Sequence, residues 1–209
     1  MSSKSAADII QLLQEHRLRV FRTSDLITLA GISAGAAAQA LRRLADNKLV
    51  VSIKREVWAN LMREDLNPME AVPHLIAPWP GYVSLYSALS HHGIIDEVPQ
   101  TIYAVSAGRP ARYATIIGNF QIHHLPDKFL WGFQMARSGQ GLFPLAEPEK
   151  AFLDLAYLGV IPRSPVGMPY KRNHHWDLDK KKLTAYALRF KFPPLNKYLK
   201  SQRLWQPPA

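Results

Sequence analysis

The 209-residue chain contains no cysteine. That absence excludes disulfides, thiolate zinc sites and cysteine nucleophiles together, and it fits a reducing compartment. No apolar run approaches the roughly 18 residues that a membrane-spanning helix needs. The stretch Met1 to Gln11 is polar and lacks the apolar segment of a secretory leader. A soluble, cytoplasmic protein without a membrane partner is the expectation. Acidic residues are scarce, 16 Asp and Glu against 26 Lys and Arg, for a formal net charge of +10. Motifs that carry chemistry are missing too. There is no His-Glu-x-x-His and no nucleophile elbow, and Gly139 and Gly141 lack the Lys-Ser/Thr that completes a phosphate loop. No catalytic residue, metal or cofactor is assigned.

What is present is unevenly spread. Residues 1–60 hold nine basic and five acidic side chains, residues 61–162 six and nine, and residues 163–209 eleven and two. The cationic excess sits at both ends, as a polyanion-binding surface requires. Hydrophobic residues make up 47% of the chain, enough to bury real cores. The length suits a small domain joined to a medium one. The change in character near residues 61–67 divides the chain into an N-terminal domain, 1–62, and a mixed α/β domain, 63–209. The expected class is α+β.

The first sixty residues have a readable order. Ile9, Leu12 and Leu13 share a stripe on a helix from Ser5 to Glu15. Val20 and Phe21 form a short extended piece. Thr23 or Ser24 caps a second helix, and Gly31 ends it. Ser33 caps a third helix, Ala34 to Asn47, whose buried stripe is Ala37, Leu41 and Leu44. Leu49 to Ile53 and Val57-Trp58 are strands joined by a turn at Lys54, Arg55 and Glu56. This is the order of a winged helix-turn-helix. Its third helix would enter the major groove of double-stranded DNA. Ser33, Gly35, Ala38, Gln39, Arg42 and Arg43 then face outward. Gln39 suits adenine, and the two arginines suit guanine or phosphate. Lys54 and Arg55 at the wing tip suit a minor-groove or backbone contact, with Thr23 and Lys48 as flanking contacts. The run Ala34 to Ala38 has little side-chain reach, so specificity is expected to lean on a dimer on the DNA or on DNA shape.

Beyond residue 61 the signals are mixed. Asn67-Pro68-Met69-Glu70 reads as a capping box with Pro at the first helical position. Ser84 to His92 reads as a helix stopped by Gly93, and Thr101 to Val105 as a strand. Tyr113 to Ile117 and Phe120 to Leu125 read as strands around Gly118-Asn119. Trp131 to Met135 and Leu142 to Leu145 read as a hairpin. Pro148 opens a helix from Glu149 to Leu158, ended by Gly159. The segment Arg163 to Trp176 reads as loop. Asp179 to Phe190 reads as a basic helix, and Pro193-Pro194 starts a last short one to Arg203.

Two stretches carry a family resemblance: Tyr82-Val-Ser-Leu-Tyr-Ser-Ala-Leu-Ser-His-His-Gly-Ile94 and Glu147-Pro-Glu-Lys-Ala-Phe-Leu-Asp-Leu155. Behind an N-terminal winged helix they resemble the AbiEi-type antitoxins of bacterial abortive-infection toxin–antitoxin systems. The strand Thr101 to Ser106 and the arginines Arg109 and Arg112 sit where that family places them. The resemblance implies an N-terminal domain that binds operator inverted repeats and represses its own operon. It implies a C-terminal domain that counters a cognate nucleotidyltransferase toxin of the AbiEii type. The Ala- and Gly-rich third helix departs from a strong base-reading pattern.

Other clusters have plainer readings. The histidines come as adjacent pairs, His91-His92, His123-His124 and His174-His175, and neighbours diverge on helix or strand, which is poor for chelation. One member of each is expected to be packed and the other solvated. Glu147, Glu149 and Lys150 miss nuclease spacing, because Pro148 stands two before the lysine; a helix N-terminus explains them. Asp154 lies among apolar residues and is expected to pair inside the core with a partner such as Arg109 or Arg112, a structural role. Lys180, Lys181, Lys182, Arg189 and Lys191 read either as a second nucleic-acid contact or as a solvated helix face. Two rival functions stay open: a metal-dependent nuclease, and a ligand-sensing winged-helix regulator with a pocket in its second domain.

Overall fold

The computed structural model describes residues 4–162, 164, 166–167 and 176–205. Among them lie eight α-helices and two sheets, so the fold is mixed α+β. The first lobe contains α1 (Ala6–Glu15), β1 (Val20–Arg22), α2 (Thr23–Ala30), α3 (Ala34–Asp46), β2 (Val50–Lys54) and β3 (Val57–Asn60). Its strands form an antiparallel sheet in the order β1-β3-β2. Ile9, Leu13, Phe21, Leu26, Ala37, Leu41 and Leu44 make its core.

Local chemistry sets these boundaries. Ser5 and Asp8 form a reciprocal capping box at the start of α1. Neither Thr23 nor Ser24 caps α2, contrary to the sequence reading. The helix begins at Thr23, and the Asp25 carboxylate accepts the Arg22 N–H at 2.7 Å. Gly31 ends α2 at φ +63°, a left-handed conformation that glycine adopts without a Cβ penalty.

The second lobe follows a short 3₁₀ turn, Pro68–Ala71, that carries the expected Asn67/Glu70 capping box. Its elements are α4 (Val72–Ile76), β4 (Gly81–Val83), α5 (Leu85–His91), β5 (Thr101–Ser106), β6 (Ala111–Thr115), β7 (Gly118–His124), β8 (Phe133–Ser138), β9 (Gly141–Ala146), α6 (Pro148–Val160), α7 (Lys180–Phe190) and α8 (Pro193–Ser201). Six strands make a mixed sheet, β6-β7-β5-β4-β9-β8, with parallel pairings between β5 and β7 and between β4 and β9. Sequence reasoning missed β4. Three residues are too few to show a period, yet β4 holds a central place in the sheet. Gly81 allows it: a Cβ there would collide with the Val105 carbonyl.

Two further boundaries differ from expectation. The β6–β7 turn falls before Gly118, at Ile116-Ile117. Gly159 does not stop α6, which continues to Val160. Every residue of α6 from Glu149 to Leu158 is buried, because α5, α7 and α8 all pack on it.

The lobes share a core. Val20, Ile53, Val57 and Ala59, from the first sheet, belong to the larger cluster built by the second lobe. Polar groups tie the junction. Buried Arg19 donates to both Glu70 oxygens, at 2.6 and 3.0 Å, and to Asp65 Oδ1 at 2.8 Å. Asp65 Oδ2 in turn accepts the Gln140 N–H at the β8–β9 turn.

Candidate nucleic-acid interface

The surface of interest is built on α3. Ser33 caps it, its hydroxyl accepting the Ala36 N–H at 3.2 Å. Ala37 and Leu41 are fully buried and Leu44 is 2% exposed, so the expected inward stripe is inward. The helical period then turns Gly35, Ala38, Gln39, Arg42 and Arg43 to solvent, and all five are exposed. Neither guanidinium has an ion-pair partner among the described residues. Ser33 is exposed as well, although its oxygen serves the cap.

The flanks divide. Arg55 is exposed at the hairpin tip, where Glu56 adopts φ +62°. Lys48 is exposed beyond α3, also with positive φ. Lys54 does not project from the tip. It ends β2 half-buried, and its ammonium donates to the Leu75 carbonyl of the second lobe at 2.7 Å. Burial, with nearby Arg22, holds its pKa below the ordinary lysine value. Thr23 is not a surface contact either: it is buried, and its hydroxyl accepts the Trp58 indole N–H at 3.0 Å. In both cases a tertiary partner claims a side chain that local pattern left free, although Thr23 still lines the groove beside α3. Exposed Arg22 was not placed by the sequence reading. Its position just before α2 was the available signal.

Between α3 and the hairpin runs a groove of about 390 Å³, lined by Ala38, Arg42, Ser52, Glu56 and Trp58 among others. Small residues on α3 leave it open. Gly35 has nothing within 4 Å of where a Cβ would stand. A polyanion's backbone could approach this wall closely beside Ala38 and Arg42, whereas Gln39 and Arg43 line a separate small cleft with Lys4.

The basic C-terminal segment does not form one continuous free surface. Lys182 pairs with Glu149 at 3.3 Å and Glu147 at 3.4 Å. Arg189 lies over the Trp131 ring, 4.2 Å from its centroid. Lys180, Lys181, Lys191 and Arg189 itself are exposed. Asp179 caps α7 by accepting the Lys181 and Lys182 N–H groups, and the Asp179 N–H donates to Glu149. Glu147 and Glu149 thus anchor α7.

Asp154 pairs inside the core, but with neither Arg109 nor Arg112. Its partners are Lys150, one turn earlier, Ser84 at 2.8 Å and Tyr82 at 3.1 Å. Lys150 also donates to the Tyr82 oxygen at 2.7 Å. Burial holds the lysine below and the aspartate above their ordinary values. Both side chains are 0% exposed, so no substrate reaches them.

In the two described histidine pairs one member is packed. His92 Nε2 faces the Ala146 carbonyl at 2.8 Å while His91 is exposed; His123 is buried while His124 is exposed. His174-His175 lies outside the described residues. Among the described residues no group of three His, Asp or Glu side chains could hold a metal, and no helix is long and apolar enough to cross a membrane. No family model matches the chain, and no curated protein matches it.

Proposed function

We propose that the first lobe is a winged helix-turn-helix module that binds double-stranded DNA, and that the protein is a transcriptional regulator. The observation that carries this reading is the outer face of α3. Gln39, Arg42 and Arg43 stand exposed, with no side-chain partner among the described residues, on a helix whose other side is locked by Ala37, Leu41 and Leu44. The helix order and the β1-β3-β2 sheet support it, since together they present α3 beside a hairpin with Arg55 at its tip. In this arrangement α3 lies in the major groove and the hairpin rides on the backbone. Resemblance to AbiEi-type antitoxins extends the proposal: the DNA would be operator inverted repeats of its own operon, bound as a dimer, and the second lobe would counter a nucleotidyltransferase toxin.

The experiment is a gel-shift titration on DNA selected from a random-sequence pool, at several salt concentrations. Arg42, Arg43, Lys48 and Arg55 make about four phosphate-reaching cations per copy, so log K should fall with log salt at a slope near −3.6 for one copy and about −7 for a dimer. Substituting Arg42 and Arg43 together by Ala should abolish the shift while the circular dichroism spectrum stays unchanged. Undiminished binding by that variant would sink the proposed face.

A further inference from the structure

A second concave site lies at the junction of the lobes. It is a cavity of about 300 Å³ between the end of β2, the Leu75–Trp79 segment and the β5–β6 loop. That volume is at the lower end of the range for small-molecule pockets. Lys54 and Arg109 line it, with Trp79, Tyr113, Ser106 and the Leu75 carbonyl.

Its chemistry is cationic and aromatic. Lys54 spends one of its three donors on Leu75. No carboxylate pairs with it among the described residues, and Arg22 nearby adds like charge. The other neighbour of Lys54 is the Tyr113 ring, whose centroid lies 5.8 Å from the ammonium, so its favourable contacts are all neutral and an anion would supply the missing charge. Arg109 also lines the cavity, is exposed, and has no partner among the described residues. Trp79 is 55% exposed at the rim, an unusual position for so large an aromatic face. The Tyr113 hydroxyl is directed to Leu75 O at 3.3 Å and Lys54 lies over its ring, so Trp79 is the aromatic face on offer.

We infer that this cavity is an effector site for a flat-ringed organic phosphate of nucleoside monophosphate size. The guanidinium and ammonium hold the phosphate, and the Trp79 ring covers the flat group. Because Lys54 leads directly into the Arg55 tip, an anion there lowers the positive field of the hairpin. Occupancy therefore weakens DNA binding, a consequence that rests on the DNA-binding reading above.

Isothermal titration of the full-length protein, without DNA, with AMP, GMP, CMP, UMP, inorganic phosphate and benzoate tests the site. At least one nucleotide should bind more tightly than about 100 µM, and Arg109→Ala should weaken it about tenfold. Trp79→Leu should also weaken it, with inorganic phosphate and benzoate much weaker than the nucleotide. Both variants change exposed side chains, and thermal melting checks their folding. No saturable nucleotide binding, or binding that both variants leave intact, overturns the site. Equal affinity for inorganic phosphate, or preference for benzoate, overturns the ligand class. In the presence of DNA the two affinities must shift by the same factor, about fivefold or more. A ligand that binds but leaves DNA affinity unchanged overturns the regulatory role. Absence of any DNA binding would count against the proposed function while leaving the ligand titration decisive for the site.

Discussion

Lys150 and Asp154 face each other one turn apart on α6, with no solvent contact. A buried ion pair is tolerable only when its remaining donors and acceptors are met, and Tyr82 and Ser84 meet them here. Lys150→Met should therefore destabilise the protein by about 3–5 kcal/mol, because it strands the carboxylate. Adding Asp154→Leu should recover part of that loss. Urea titration of the two variants measures both effects. Histidines add a pH dependence. Burial depresses His74 and His123 below the ordinary imidazole value of 6.5. In that case the unfolded chain takes up protons first as pH falls. Stability is then full above the unfolded value and is lost as pH drops below about 6.5. The melting temperature should decline from pH 7.5 to 5.5, and His123→Gln should flatten the decline. The Lys150–Asp154 pairing was half legible. An aspartate among apolar residues demanded a partner, and Lys150 one turn earlier on the same helix had the spacing for it, but the sequence reading looked to Arg109 and Arg112 instead.

At the scale of elements, α3 is the piece the proposed function stands on, and it was the most legible. Its cap, its inward stripe and its exposed face all follow from a 3.6-residue period over thirteen residues. Ser33→Ala should cost about 1 kcal/mol and loosen the first turn of α3. DNA affinity should fall with it, since Gly35, Ala38 and Gln39 begin at that end. Thermal melting and gel shift read the two consequences separately. By contrast β4 was invisible. Its three residues join the sheet only because β5 and β9 accept them on either side. Helix α7 lies between these cases. Its existence was plain from the sequence, but the fate of its cations was not, since Glu147 and Glu149 arrive from a distant helix start.

The whole molecule behaves as one body in its core. The face of the first sheet formed by Val20, Ile53, Val57 and Ala59 is covered by the second lobe. A fragment of residues 1–62 would expose that face, so it should bind a hydrophobic dye and melt well below the full chain. The intact protein should unfold in a single transition by both circular dichroism and tryptophan fluorescence. Arg19→Ala should separate the probes, because Glu70 and Asp65 would lose the cation that bridges the lobes. The sequence alone determined whatever depends on near neighbours: helix caps, the period of α3, the Asn67–Glu70 box and the clustering of cations at the chain ends. Tertiary structure alone decided which of those cations stay free. Lys54, Lys182 and Arg189 are held by Leu75, by Glu147 with Glu149, and by Trp131. Arg42, Arg43 and Arg55 are exposed. The physical reason is that a long charged side chain takes whichever partner packing brings within reach, and that partner lies tens of residues away, where local pattern has no hold.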